Sequence, residues 1–342
     1  MEKIAEDNKI TEINFKPELV SILIPTYNQK EEYLTQCVYS CLSQTYEKIE
    51  VILSDNFTNN SSRHFIQNLD YDNVRVVRPD RFLNMNDNFA FCASFAKGEF
   101  ISFLSSDDIL FSKSIEKLVT AIKLNSSAAF AFGNCYHSNR IPTKYKKSLL
   151  VRSPMNGQSI YLEGEVGQKF FFPWDLSSTW MVGNLIKSTS YNRIGGFSAF
   201  NLEVSGDVWI TQKLLNQGGF VYLDEVLALF RSRSVGHIEV DPDRRLLDFI
   251  DHVLLNKNTI QYTTRGRLRE VLVFIYRIGV DRRTSDSVKN KAVRKFVDIN
   301  RYDLSMLAKG SIEFPVLFYI LAKILGAPKF IRDVIRELCR KI

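Results

Sequence analysis

Apolar positions in the first two-thirds of the chain fall in short, nearly continuous runs that stop abruptly at polar clusters. Val20-Ser21-Ile22-Leu23-Ile24 gives way to Pro25-Thr26-Tyr27-Asn28, and Ile49-Glu50-Val51-Ile52-Leu53 to Ser54-Asp55-Asn56. Phe100-Ile101-Ser102-Phe103-Leu104 gives way to Ser105-Ser106-Asp107-Asp108. Runs of this length predict strands buried on both faces of a parallel sheet. Between them the period changes: Tyr33, Leu34, Cys37, Val38, Cys41 and Leu42 recur at helical spacing over 31–44, and further helices are expected over 87–96 and 112–124. Segments 74–77, 128–134, 220–223 and 226–230 add strand candidates. A strand, a helix and a second strand joined by short links form a βαβ unit, so Asp55 and Asp107 are expected at the same edge of one sheet.

Beyond Pro242 the pattern turns helical, over 244–257, 266–278, 285–299 and 303–308. The last segment is apolar over 314–325 and amphipathic over 329–341. Ile331, Val334, Ile335 and Leu338 lie on one helical face, and Arg332, Arg336 and Arg340 on the other. Such a helix either packs on the body or lies in a membrane interface with its cations toward anionic headgroups. The division that follows is a polar extension over 1–18, an α/β body over 19–240 and a helical region over 241–342.

Charge sharpens this division. The chain carries a net +7, but residues 243–342 hold 21 Lys and Arg against 11 Asp and Glu, which leaves the rest mildly acidic. That asymmetry fits a body attached to a segment that meets an anionic surface. Nucleic acid is not expected as a partner, because no DNA- or RNA-binding motif accompanies the charge. Cys37, Cys41, Cys92, Cys135 and Cys339 are odd in number and form no Cys-x-x-Cys pair, which suits reduced thiols in a cytoplasmic protein. Residues 1–18 lack the apolar run of a signal peptide, and no stretch reaches the roughly 20 apolar residues of a spanning helix.

The candidate chemistry sits at the strand ends. Paired carboxylates buried without counter-charge cost several kcal/mol per ion, so Asp107 and Asp108 belong at the mouth of the sheet. There, hard oxygens suit Mg²⁺ or Mn²⁺ bridging phosphates. Capping of the helix over 112–124 is the alternative use for these two residues. The aromatic cluster of Phe170, Phe171, Phe172, Trp174 and Trp180 reads as core or as a surface for a sugar ring. His64, His137 and His252 lack partners at metal-ligand spacing.

In order, spacing and strand context, the three motifs over about 20–231 resemble the nucleotide-sugar half of family 2 glycosyltransferases with the GT-A fold, a Rossmann-like mixed sheet flanked by helices. The resemblance implies that Pro25, Thr26 and Tyr27 line the base and ribose pocket and that Asp55 accepts a hydrogen bond from the base. It places Asn28, Arg81, Ser106, Asp107 and Asp108 among the donor-binding residues, with Arg78 and Arg81 ahead of a helix that flanks the diphosphate. The family's metal motif is usually Asp-x-Asp. Ser105 occupies its first position here, so Asp107 is left as the principal ligand of Mn²⁺ or Mg²⁺, with His237 as a further candidate. Gly195-Gly196-Phe197 and the later Gly206-Asp207 resemble the family's acceptor-side motif, with Gly206 replacing the first acid and Asp207 implied as the general base.

The implied reaction is inverting transfer from a nucleotide-diphosphate sugar to an acceptor hydroxyl, on a polyprenyl-linked glycan destined for O-antigen or capsule. It would occur in the cytoplasm or at the cytoplasmic face of the inner membrane, with peripheral contact through 314–342 and homo-oligomerisation left open. Two other readings stand beside it. One is a nucleotide-sugar binder impaired by the missing acids at Ser105 and Gly206; the other is a membrane-surface scaffold working through the basic last third.

Overall fold

The computed structural model describes residues 14–138, 159–163, 181–199, 206–231 and position 287. Four parallel strands, β1 (Lys16–Thr26), β2 (Ile49–Asp55), β3 (Val74–Val77) and β4 (Gly98–Phe103), lie side by side in the order β3-β2-β1-β4. Their central residues, among them Ile22, Leu23, Ile24, Val51, Ile52 and Leu53, are wholly buried, and full burial of each such side chain is worth about 1.5–3 kcal/mol. Helices α1 (Glu31–Leu42), α2 (Ser62–Gln67), α3 (Met85–Ala93) and α4 (Ser114–Leu124) complete this half. Cys37 and Cys41 share the buried face of α1, as their spacing predicts.

The remaining strands are β5 (Ile109–Leu110), β6 (Ala128–His137), β7 (Ile160–Leu162), β8 (Asn184–Lys187) and β9 (Gly219–Phe230). β8 pairs antiparallel with β4 and makes the sheet mixed; the order continues β4-β8-β6-β9-β5, with β7 on β9. Helices α5 (Ser188–Arg193) and α6 (Gly206–Leu215) flank a 3-10 turn at Gly196–Ala199. Where two strands are expected over 220–230 there is one. Asp224 and Glu225 interrupt the apolar run without ending it, because the register with β6 shifts between Gly133 and Asn134, and Asn134 donates to Asp224 at 2.6 Å.

Gly98 opens β4 against a bulge in β1, where the register moves from Lys16 opposite Gly98 to Val20 opposite Phe100. A Cβ on Gly98 would lie 2.4 Å from the Leu19 carbonyl oxygen, so only glycine fits.

The chain divides into two units, Met1–Phe200 with Ile210–His237, and Asn201–Trp209 with Ile238–Ile342. The helices expected beyond 243, the aromatic cluster over 170–180 and the amphipathic end lie outside the described residues, except for Ser287, which is helical. Among the described residues no helix is long and apolar enough to cross a membrane.

Candidate active site

Register places the three polar clusters at one edge of the sheet. Thr26, the last residue of β1, stands opposite Asp55, the last of β2, while Leu23 stands opposite Phe103, the last of β4. The Leu104 N–H continues that pairing by donating to the Leu23 carbonyl at 2.9 Å. Backbone leaving the carboxyl ends of neighbouring parallel strands forms the crevice in which open α/β sheets bind ligands.

At the β2 end the Asp55 carboxylate organises a tight turn. One oxygen accepts the Thr58 N–H at 2.9 Å, and the other pairs with Arg78 at 2.5 Å. Between them Phe57 adopts a left-handed backbone, φ 63°, an uncommon and costly conformation for a bulky residue. The Arg78 guanidinium lies over the Phe57 ring, 4.5 Å from its centroid. Each Asp55 oxygen retains a second lone pair, so the carboxylate can still accept a bond from a ligand.

Asn56 is buried and clamps the loop that carries Arg81 and Phe82: its amide donates to the Leu83 carbonyl at 2.8 Å and accepts the Leu83 N–H at 2.9 Å. Phe82, half exposed, meets Tyr27 edge-on with ring centroids 4.9 Å apart, and Arg81 is exposed. Asn28 takes a left-handed φ of 47° and accepts the Asn59 N–H at 2.9 Å, which ties the β1 and β2 loops together. Pro25 and Thr26 are buried at the end of β1.

At the β4 end, Ser105 to Asp108 form a turn closed by the Asp108 N–H on the Ser105 carbonyl at 3.0 Å. Neither aspartate caps the following helix, which starts at Ser114 with Lys113 in the cap position and no side-chain cap bond. The two carboxylates are placed differently. Asp108 is fully buried, and one of its oxygens accepts the Arg231 N–H at 2.8 Å. Burial, and secondarily the charge of Asp107, push Asp108 well above the usual carboxylate range, against the pull of Arg231. Asp107 is 4% exposed and Ser106 is buried beside it. Asp108 is thereby tied to a structural bond.

Among the described residues no three His, Cys, Asp or Glu side chains gather into a metal site. The donor set fits a hard divalent cation held by Asp107 together with phosphate and water oxygens, a usual arrangement for Mg²⁺ and Mn²⁺ at diphosphates. His237 lies outside the described residues. Asp207 belongs to the second unit and occupies the first turn of α6, half buried.

Residue patterning did not show the partners of three residues. Arg78, which precedes the helix expected to flank the diphosphate, closes on Asp55. Asn56 reads as a strand-end turn residue but holds the opposite loop. Arg231, which merely ends β9 in the pattern, enters the Asp107-Asp108 turn; a lone arginine directly after an apolar run was the signal.

A family model described as "Glycosyl transferase family 2" matches residues 21–201. The chain is 28% identical over 158 residues to GalNAc(5)-diNAcBac-PP-undecaprenol beta-1,3-glucosyltransferase of Campylobacter jejuni, covering 44% of this chain and 47% of that protein. It is 36% identical over 122 residues to glycosyltransferase GlyG of Streptococcus pneumoniae, covering 35% and 40%. These matches span under half the length of the relatives. Residues 1–349 of S. aureus TarS in complex with UDP-GlcNAc share the fold, with a TM-score of 0.66 at 14% identity over 94% of this chain and 90% of that one. The matched segment runs from β1 through β4 and on past the 3-10 turn, taking in the strand ends at Thr26, Asp55 and Phe103. The chain belongs to glycosyl transferase family 2 and has its GT-A fold.

Proposed function

We propose that the protein is an inverting glycosyltransferase that moves a sugar from a nucleotide-diphosphate donor to an acceptor hydroxyl. The observation that carries this reading is the register that brings Thr26, Asp55 and the Asp107 turn to one carboxyl edge of the parallel strands. The base would lie between the Tyr27 side and Asp55, its ring against the aromatic and guanidinium surfaces of Tyr27, Phe82, Phe57 and Arg78. Asn28, Arg81 and Ser106 are placed on the loops at this edge, where a ribose and diphosphate would pass.

Asp107 would hold Mn²⁺ or Mg²⁺, with His237 as a further ligand. A divalent cation there would offset the charge that builds on the departing diphosphate. Asp207 would accept the proton of the acceptor hydroxyl as that oxygen bonds to the anomeric carbon and the bond to the diphosphate oxygen breaks. A carboxylate suits the task, being ionised at neutral pH and acceptor-only.

The acceptor proposed is a polyprenyl-linked glycan of a surface polysaccharide, met at the cytoplasmic face of a membrane. Support comes from relatives, including the Campylobacter jejuni undecaprenol-linked glucosyltransferase and two Escherichia coli glucosyltransferases acting on diphosphoundecaprenol-linked GlcNAc. Segment 314–342 is proposed as a peripheral contact on the strength of its amphipathic pattern.

The test is a panel of nucleotide-diphosphate sugars incubated with Mn²⁺ and a synthetic polyprenyl-diphosphate glycan. Transfer from one donor, abolished by Asp107→Ala, is the expected result. Tight nucleotide binding with neither transfer nor hydrolysis across the panel would favour an impaired binder instead.

A further inference from the structure

Arg231 is the first residue after β9 and is 2% exposed, the largest of the fully buried side chains among the described residues. Burying a cation is costly unless its charge and its N–H groups are met. Here the two terminal nitrogens are met from two directions, while Nε has no hydrogen-bond partner among the described residues. Nη1 donates to the main-chain carbonyl of Asp107, and Nη2 donates to the side-chain oxygen of Gln36 on α1. The guanidinium plane lies over Tyr33, also on α1, at 4.5 Å. Its own main-chain N–H donates to the Asp108 carboxylate at 2.8 Å. The turn is therefore gripped twice by a single residue, at the backbone of Asp107 and at the side chain of Asp108.

Charge neutralisation alone does not require this arrangement. A lysine could offset two buried carboxylates, but only a planar fork can satisfy the Asp107 carbonyl and Gln36 together while stacking on a ring. We propose that Arg231 is a positioning residue: it clamps the Asp107-Asp108 turn to α1 and so sets where the Asp107 carboxylate meets a cation and diphosphate. This rests on the metal role proposed above for Asp107. Gln36 shares the task as the acceptor that aims the fork.

The experiment titrates Mn²⁺ into the full-length protein with saturating UDP and follows free Mn²⁺ by its electron paramagnetic resonance signal, which requires no turnover. Four variants are compared: Arg231→Lys, Gln36→Leu, Gln36→Glu and Asp107→Ala. Loss of an outer-shell partner commonly lowers metal affinity by about 10–100-fold, so Arg231→Lys should weaken Mn²⁺ binding by at least about tenfold. Gln36→Leu should weaken it by a smaller factor, and Gln36→Glu, which keeps an acceptor, should restore it. UDP binding without metal should be unchanged in both Gln36 variants.

Wild-type Mn²⁺ affinity in Gln36→Leu and in folded Arg231→Lys would overturn the clamp, as would a Gln36→Glu variant as weak as Gln36→Leu. Should Arg231→Lys fail to fold, the Gln36 pair decides. Asp107→Ala separates the two levels of inference. If it abolishes Mn²⁺ binding while the clamp variants leave binding intact, only the clamp falls. If it leaves binding intact, the metal role of Asp107 falls and the clamp with it.

Discussion

Arg78 closes on Asp55 at 2.5 Å while its guanidinium covers Phe57, so one cation both neutralises the carboxylate at the end of β2 and lids the strained residue two positions on. The Asp55 side chain is 6% exposed, and removing its cation strands a charge in a poorly solvated place. Arg78→Met is expected to cost about 1–2 kcal/mol of stability, discounted because Arg78 itself is 40% exposed. Affinity for the nucleotide diphosphate should fall about tenfold, equivalent to ~1.4 kcal/mol. Pairing it with Asp55→Asn should recover stability, since no buried charge is left alone, without recovering nucleotide affinity. Urea denaturation and calorimetry read the two quantities separately; recovery of both would remove the Asp55-Arg78 pair from the nucleotide site.

Gly98 tests the packing of the sheet that carries the site. Its added Cβ would meet the Leu19 and Phe100 carbonyl oxygens at 2.4 and 2.8 Å, both backbone atoms that cannot swing away. Gly98→Ala should destabilise by about 1–3 kcal/mol, the usual cost of overpacking. A chemical denaturation midpoint unchanged from wild type would show that β1 and β4 do not approach so closely.

Buried thiols give the pH dependence a sign. Burial pushes Cys92 from an ordinary 9.0 up to about 12 against the pull of backbone N–H groups, and burial with the nearby Asp108 charge does the same to Cys135. Both remain protonated in the folded protein where the unfolded chain already loses its protons. Their contribution to stability is therefore complete below about pH 9 and drains away as pH climbs toward about 12. Urea midpoints should decline over this window, and a Cys92→Ala, Cys135→Ala double variant should show a shallower decline. An identical slope would contradict the assignment.

The parallel half of the fold is legible because strands covered on both faces must be apolar along most of their length, and Ile49 to Leu53 or Phe100 to Leu104 show this directly. The same logic locates Asp55 and Asp107, since the polar residue that ends such a run marks the sheet edge. What local pattern cannot carry is pairing across long separations. Arg231 and Asp107 are 124 positions apart, and nothing between them hints at contact. The pattern offers two strands over 220–223 and 226–230 where β9 is one, because Asp224 and Glu225 interrupt the apolar run and a register shift at Asn134 absorbs them. Helix α2 leaves no signal in the pattern because six residues with Ile66 and Ser62 buried are too few for a period to show.

The base role proposed for Asp207 is read by the single-turnover rate of sugar transfer in Asp207→Asn, with donor, acceptor and Mn²⁺ saturating. A general base contributes about 10²–10⁴-fold, so the amide, which cannot take a proton, should slow transfer by at least about a hundredfold while UDP binding stays within about twofold of wild type. Transfer at close to the wild-type rate would show that another group, or none, takes the acceptor's proton.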